Sequence, residues 1–237
     1  MPGKGTRMSV PARSDPLPKV LIALTAVTGI VDAVAFLGLG QVFTAFMTGN
    51  ILFLGFAAAG GEGLAPMGSL TALAGFVTGV VAGSRLGVAE AARLRRWLLA
   101  SAAIASVLLV AAALAAIGLE TVRGGLVPRH YAVIALMALA MGVRSATMWR
   151  LGAILNTTLV TGTLVTWIRK STVGGGTPDA FQSYRVAALV AVFSGAAVGT
   201  LLLRAGLTTA LLVAAAGVLA GIGGYVAHPA SRRAVSA

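Results

Sequence analysis

Residues 20–60 read VLIALTAVTGIVDAVAFLGLGQVFTAFMTGNILFLGFAAAG, and this stretch decides the fold. It is almost wholly apolar, and Asp32 is its one charged residue. A bilayer core about 30 Å thick needs about 20 apolar residues at 1.5 Å each, so 20–38 reads as one membrane crossing. Only Gly38-Leu39-Gly40-Gln41 separates it from a second apolar run, 42–60. That second run carries Thr48-Gly49-Asn50 near its centre, which is poor helix material. The stretch therefore predicts a full span followed by a broken or re-entrant segment.

The pattern continues outward. Further apolar windows cover 64–84, 97–119, 131–149, 151–168, 186–203 and 205–227, and Arg144 in 131–149 is the one other charge inside a window. Only 10% of the 237 residues are charged and 58% are hydrophobic. A soluble domain carries about 25% charged residues, so this chain needs a lipid-facing surface. It reads as an all-α polytopic membrane protein whose first partner is the bilayer. The 31 glycines suit close helix packing in a membrane. The absence of Cys excludes disulfides, thiolate metal sites and Cys nucleophiles. The net charge of +12 sits in short segments flanking the apolar runs, as membrane topology requires, and so does not indicate nucleic acid.

Charge placement reduces eight windows to six crossings. The basic tail 1–19, which reads as disordered, and the segment 85–96, with Arg85, Glu90, Arg93, Arg95 and Arg96, both belong on the cytoplasmic side. Three crossings between them would separate them, so one window fails to cross. Window 42–60 is the candidate, and 151–168 is its counterpart in the second half. The tail, 85–96, Arg150, 169–185 and Arg232-Arg233 then lie inside, with both termini cytoplasmic. The 120–130 loop lies outside with Arg204, a minor violation. A single transmembrane domain spans 20–227, followed by a short tail, 228–237.

The two halves, 20–119 and 131–227, resemble each other. Thr48-Gly49-Asn50 and Thr161-Gly162-Thr163 stand 113 residues apart, as do Gly29 and Gly142. Gly75, Gly79 and Gly83 recur as Gly195 and Gly199, shifted by a few more residues. Three crossings per half make the repeat inverted, an arrangement common in secondary transporters, where broken helices build a midplane site. Helix N-termini there would offer free N–H groups to a small solute, an anion among the options. A duplication kept for packing alone predicts the same residues.

Gly29-x-x-Asp32-Ala33, Phe36, Gly40, Phe43 and Thr48-Gly49-Asn50 in the first half go with Met141-Gly142 and Thr157-Thr158-x-x-Thr161-Gly162-Thr163 in the second. Together these resemble the YoaK-like family of bacterial inner-membrane proteins, whose function is not established, over about residues 18–227. The resemblance implies a multi-span protein of the bacterial cytoplasmic membrane and supplies no substrate. The family often has a Gln-Asn pair one residue after Met-Gly, where this chain has Arg144-Ser145.

Candidate substrate-binding residues follow from the cost of polar groups in hydrocarbon. Asp32 could relay a proton, coordinate a cation or pair with a base, or simply hydrogen-bond to secure packing. Arg144 could join a site or snorkel to headgroups. Thr48, Gly49, Asn50, Asn156, Thr161, Gly162 and Thr163 could serve a solute or link helices. Gln41 could cap the break before 42–60. Trp97, Trp149 and Trp167 read as interfacial anchors, and His130 and His228 lack metal-ligand spacing. No paired carboxylate, Ser–His pair, metal motif or phosphate loop suggests an enzyme or a cofactor. The expected function is a secondary transporter or permease for a small solute. The alternative is a non-transporting scaffold or accessory subunit. A homodimer suits either, since six spans enclose only a small cavity.

Overall fold

The computed structural model describes residues 17–89, 94–122, 125–150, 160–177, 179 and 181–229. The tails 1–16 and 230–237, the segment 151–159 with Asn156, and Glu90, Arg93 and Arg123 lie outside the described residues. All regular structure among the described residues is helical: α1 (Leu17–Gly38), α2 (Met47–Ala58), α3 (Pro66–Ala89), α4 (Leu94–Ala115), α5 (Pro128–Arg150), α6 (Val160–Arg169), α7 (Gln182–Leu202) and α8 (Leu207–Ala227). A 3-10 turn, Leu203–Ala205, joins α7 to α8.

Six of these helices are long and apolar enough to cross a membrane: α1, α3, α4, α5, α7 and α8. Proline opens α3 and α5, where its missing N–H costs nothing and its fixed φ suits the first turn. Helix α2 has 12 residues, about 18 Å of rise, which is too short to span. Its stop is a Schellman arrangement. Gly60, at φ 87°, donates its N–H to Ala57 O, and Gly61 N donates to Phe56 O. Helix α6 has 10 described residues. Neither short helix, over its described residues, is long enough to cross, in line with the count drawn from charge placement.

Cross-links fix which helix ends lie together. Val122 N donates to Gly38 O, Thr208 Oγ1 to Ala113 O, and Arg129 Nη2 to Ala115 O and Ile117 O. These define an upper end, carrying the 39–46, 59–65 and 203–206 connections. At the lower end Arg95 Nη2 donates to Val226 O.

Helix pairing is set by small residues. The most extensive packing is α3 on α5 and α1 on α7, followed by α4 on α8, α4 on α5 and α1 on α8. A Cβ on Gly195 would collide with Ala26 O, and one on Gly29 with Val192 O. In the other half a Cβ on Gly79 would collide with Leu139 O, and one on Gly142 with Phe76 O. One turn further along the chain, a Cβ on Gly199 would lie 2.8 Å from Ile30 O, and one on Gly83 2.9 Å from Val143 O. Every α1 or α5 position in this set differs by 113 and every α3 or α7 position by 116. The two crossings are thus the same contact made twice, and the four-residue glycine spacing exists to make it. The core is formed by α1, α4, α5 and α8, with Val31, Val34, Leu109, Ile134, Met137 and Leu211 fully enclosed.

Candidate functional site

After α1 the chain turns at Gly40 (φ 88°) and Gln41 (φ 59°) and comes back along the helix it has just left. Asp32, 3% exposed, receives the returning strand. Its Oδ1 accepts from Thr44 N at 2.7 Å, Ala45 N at 2.9 Å and Thr44 Oγ1 at 3.1 Å, and its Oδ2 accepts from Phe46 N at 3.1 Å. The lone carboxylate of the first span is therefore bound to the amides that lead into α2. A negative group at a helix N-terminus is favourable twice over, through the donors and through the helix dipole.

Asn50, fully buried, completes the brace. Its Nδ2 donates to Phe43 O at 2.6 Å, and its Oδ1 accepts from Phe43 N at 3.0 Å, so the side-chain amide pairs with both backbone groups of one residue. Gly49 contributes by its small size, since a Cβ there would run into the Phe43 ring. Thr48 is the exposed one of the three, has no side-chain hydrogen bond to a described residue, and faces a cleft. Gln41 does not cap the break. Asp32 and Asn50 do, through their hydrogen bonds to the 43–46 backbone, while Gln41 is exposed.

The cleft measures about 740 Å3 and lies between the N-terminal ends of the two short helices. Ala45, Phe46, Met47 and Thr48 line it from the α2 side and Val160 and Thr161 from the α6 side, with Phe76 and Val192 as flanks. Phe76 and Val192 each sit ten residues into a spanning helix, about 15 Å from its end and so at mid-height. Gly162 is exposed beside Thr161, and Thr163 is partly buried. The amides just before α2, those of Thr44, Ala45 and Phe46, hold Asp32, and no ionisable side chain lines the cleft among the described residues. The sequence of 151–159, LGAILNTTL, adds none.

Arg144 does not snorkel. It is 4% exposed and points from α5 to α1, where Nη2 donates to Leu24 O at 2.9 Å and Thr28 Oγ1 at 3.4 Å. Leu24, Thr28 and Asp32 follow one another at four-residue intervals, so Arg144 sits on the Asp32 face of α1, about one turn below it. Among the described residues no ion pair joins the two, and neither side chain lines the cleft. Trp97 is likewise buried, at 4%, and not a headgroup anchor, whereas Trp149 is 70% exposed. His130 is an internal cap. Nδ1 accepts from Val127 N at 3.0 Å, which leaves Nε2 to donate to Glu120 O at 3.3 Å.

Sequence reasoning missed an aromatic cluster. Phe36 stacks on Phe43 at 5.0 Å, Phe43 on Phe53 at 6.0 Å, and Phe43 meets Phe46 edge-on at 6.2 Å. Four Phe residues within 18 positions were the available signal. It also missed a clamp below α6. Asp179 accepts from Arg185 Nη1 at 2.6 Å, Arg185 Nη2 at 3.0 Å and Lys170 Nζ at 2.7 Å. The Arg185 guanidinium, helped by Lys170, holds the Asp179 carboxyl well below the usual carboxylate range.

Comparison with known proteins agrees with this architecture. The chain is 39% identical over 146 residues to the UPF0700 transmembrane protein YoaK of Bacillus subtilis (strain 168). That alignment covers 61% of this chain and 61% of the relative, so the chain spans less than two thirds of the relative's length. No solved structure matches the chain. A family model described as a protein of unknown function (DUF1275) matches residues 20–224. With nearly every described helix inside that match, the chain belongs to the DUF1275 family as a multi-pass membrane protein.

Proposed function

We propose that the protein is a permease for a small uncharged solute, with its site in the cleft between the N-terminal ends of α2 and α6. The observation that carries this is the cleft itself. Two short helices bring Thr48 and Thr161, 113 residues apart in sequence, to one cavity at mid-height. Meeting short helices at a repeat interface are a recurring way to build a transport site. The twice-made glycine crossing supports reading the halves as an inverted 3+3 repeat, with the site on the axis relating them. The excess of Arg and Lys in the lower connections supports placing the lower end in the cytoplasm, with both termini there, and the protein in the cytoplasmic membrane.

The lining chemistry favours an uncharged solute. Among the described residues, two hydroxyls and an otherwise apolar wall offer one or two hydrogen bonds and no counter-charge. A buried unpaired charge in such a place costs several kcal/mol. The engagement of Asp32 by four donors favours facilitated passage over a proton relay through that carboxyl.

The test is uptake into proteoliposomes, with stopped-flow light scattering over panels of small amides, polyols and carboxylates. An uncharged class should enter faster than into protein-free liposomes, and Thr48→Val with Thr161→Val should slow it. If no class moves, or only carboxylates do, the reading fails.

A further inference from the structure

A second cavity of about 630 Å3 lies at the upper end of the bundle. Its walls include Phe36, Gly40, Gln41, Pro66, Leu126 and Tyr131, from the end of α1, the start of α3 and the start of α5. Phe36 lines this upper cavity and Phe46 lines the mid-height cleft. Phe43 lines neither and touches both rings, at 5.0 Å and 6.2 Å. It therefore links a wall residue of the upper cavity to a wall residue of the cleft.

We propose that the upper cavity is the entry vestibule of the solute path and that the Phe43 ring is the gate between it and the cleft. The inference rests on the permease reading for its purpose, but the geometry is its own. Each member of Thr48-Gly49-Asn50 acquires a role from it. Thr48 faces the cleft, Gly49 leaves room for the ring, and Asn50 holds the Phe43 backbone through both polar groups. Phe53 also stacks on the ring, at 6.0 Å, which steadies the closed position. The next three residues are pinned by Asp32, so the ring can swing while its backbone stays put.

The gate belongs to one end of the molecule. At the 113-residue offset, Phe43, Phe46 and Phe53 correspond to Asn156, Leu159 and Thr166. None of those three positions of the second half is aromatic, so this ring cluster belongs to the first half.

Thiol accessibility tests this without knowledge of the solute, because the chain has no cysteine. Single Thr48→Cys protein in proteoliposomes is treated with a membrane-impermeant thiol reagent from the upper side, which Glu62→Cys identifies. Thr48→Cys should react slowly, and adding Phe43→Ala should speed it about tenfold, the ratio set by roughly 1.4 kcal/mol of lost ring contact. Phe43→Tyr should restore the slow rate, and Phe193→Ala, at a residue 76% exposed on α7, should leave it unchanged. Phe43→Leu replaces the alanine variant if that fails to purify. A Thr48→Cys rate indifferent to the residue at 43 overturns the gate. A ring-dependent rate alongside a silent uptake panel overturns the solute reading and keeps the gate.

Discussion

Replacing Asp32 separates a brace from a proton relay. In the wild type its carboxylate answers the N–H groups of Thr44, Ala45 and Phe46 and the Thr44 hydroxyl. Thr44 and Ala45 are buried, so Asp32→Ala leaves two amides with neither water nor an acceptor. At about 1–3 kcal/mol for each buried donor left unsatisfied, the loss is about 4 kcal/mol. Asp32→Asn is milder. Its oxygen can keep the three Oδ1 contacts, while its NH2 faces the Phe46 N–H, a loss of about 1.4 kcal/mol. Hydrogen exchange of a peptide covering 43–50, in lipid nanodiscs, reads the difference directly. Exchange should rise about tenfold for Asp32→Asn and about a thousandfold for Asp32→Ala, while α8 stays protected. Unchanged exchange in Asp32→Ala would refute the brace. Lost uptake with unchanged exchange would show that the carboxyl acts on the solute or a proton instead.

Asn50→Asp keeps the shape but turns the donor facing Phe43 O into an acceptor, so it should cost about 2 kcal/mol in thermal unfolding. Asn50→Ser, which cannot bridge both backbone groups, should cost about half as much. Gly79→Ala and Gly195→Ala force a methyl into the carbonyl of the facing helix and should each destabilise by about 1–3 kcal/mol, whereas Gly223→Ala, with nothing within 4 Å, should be neutral by the same melting assay. The Asp179 carboxyl lies below its ordinary range when folded, so its contribution is complete above the unfolded carboxyl pKa and is lost only as pH falls below it. The clamp should therefore add no pH dependence to the melting temperature between about pH 8 and about pH 5. Asp179→Asn should lower the melting temperature at neutral pH and weaken the decline on the acid side.

The crossings were legible because membrane insertion is a matter of apolar length and flanking charge, and both are written in the chain. The failure of 42–60 to cross was legible from charge parity, although its mechanism was not. The Schellman stop at Gly60 needs backbone geometry, and the return of the chain after Gly40 needs a partner 12 residues away in Asp32. Asp32 and Asn50 stand out in the sequence, since buried polar groups in a membrane must have partners. Which partners they had was invisible, because the amides of Thr44, Ala45 and Phe46 carry no sequence signature. Arg144 misled for a related reason. Position along a helix suggests snorkelling, but the face it occupies is set by α1 lying against it. The glycine offsets of 113 and 116 were readable as numbers, and only the packing explains them as one contact made twice.

Everything proposed for the solute path depends on α2 and α6 entering from opposite faces and meeting at one cleft. Thiol crosslinking of a Thr48→Cys, Thr161→Cys double variant, with bifunctional reagents of graded length, measures this most directly. A short reagent should crosslink the two thiols within one chain, with Glu62→Cys labelled only from one side of the membrane and Ser171→Cys only from the other. Labelling of both from the same side, or no crosslink at any length in protein that reacts at both thiols, would rule that meeting out.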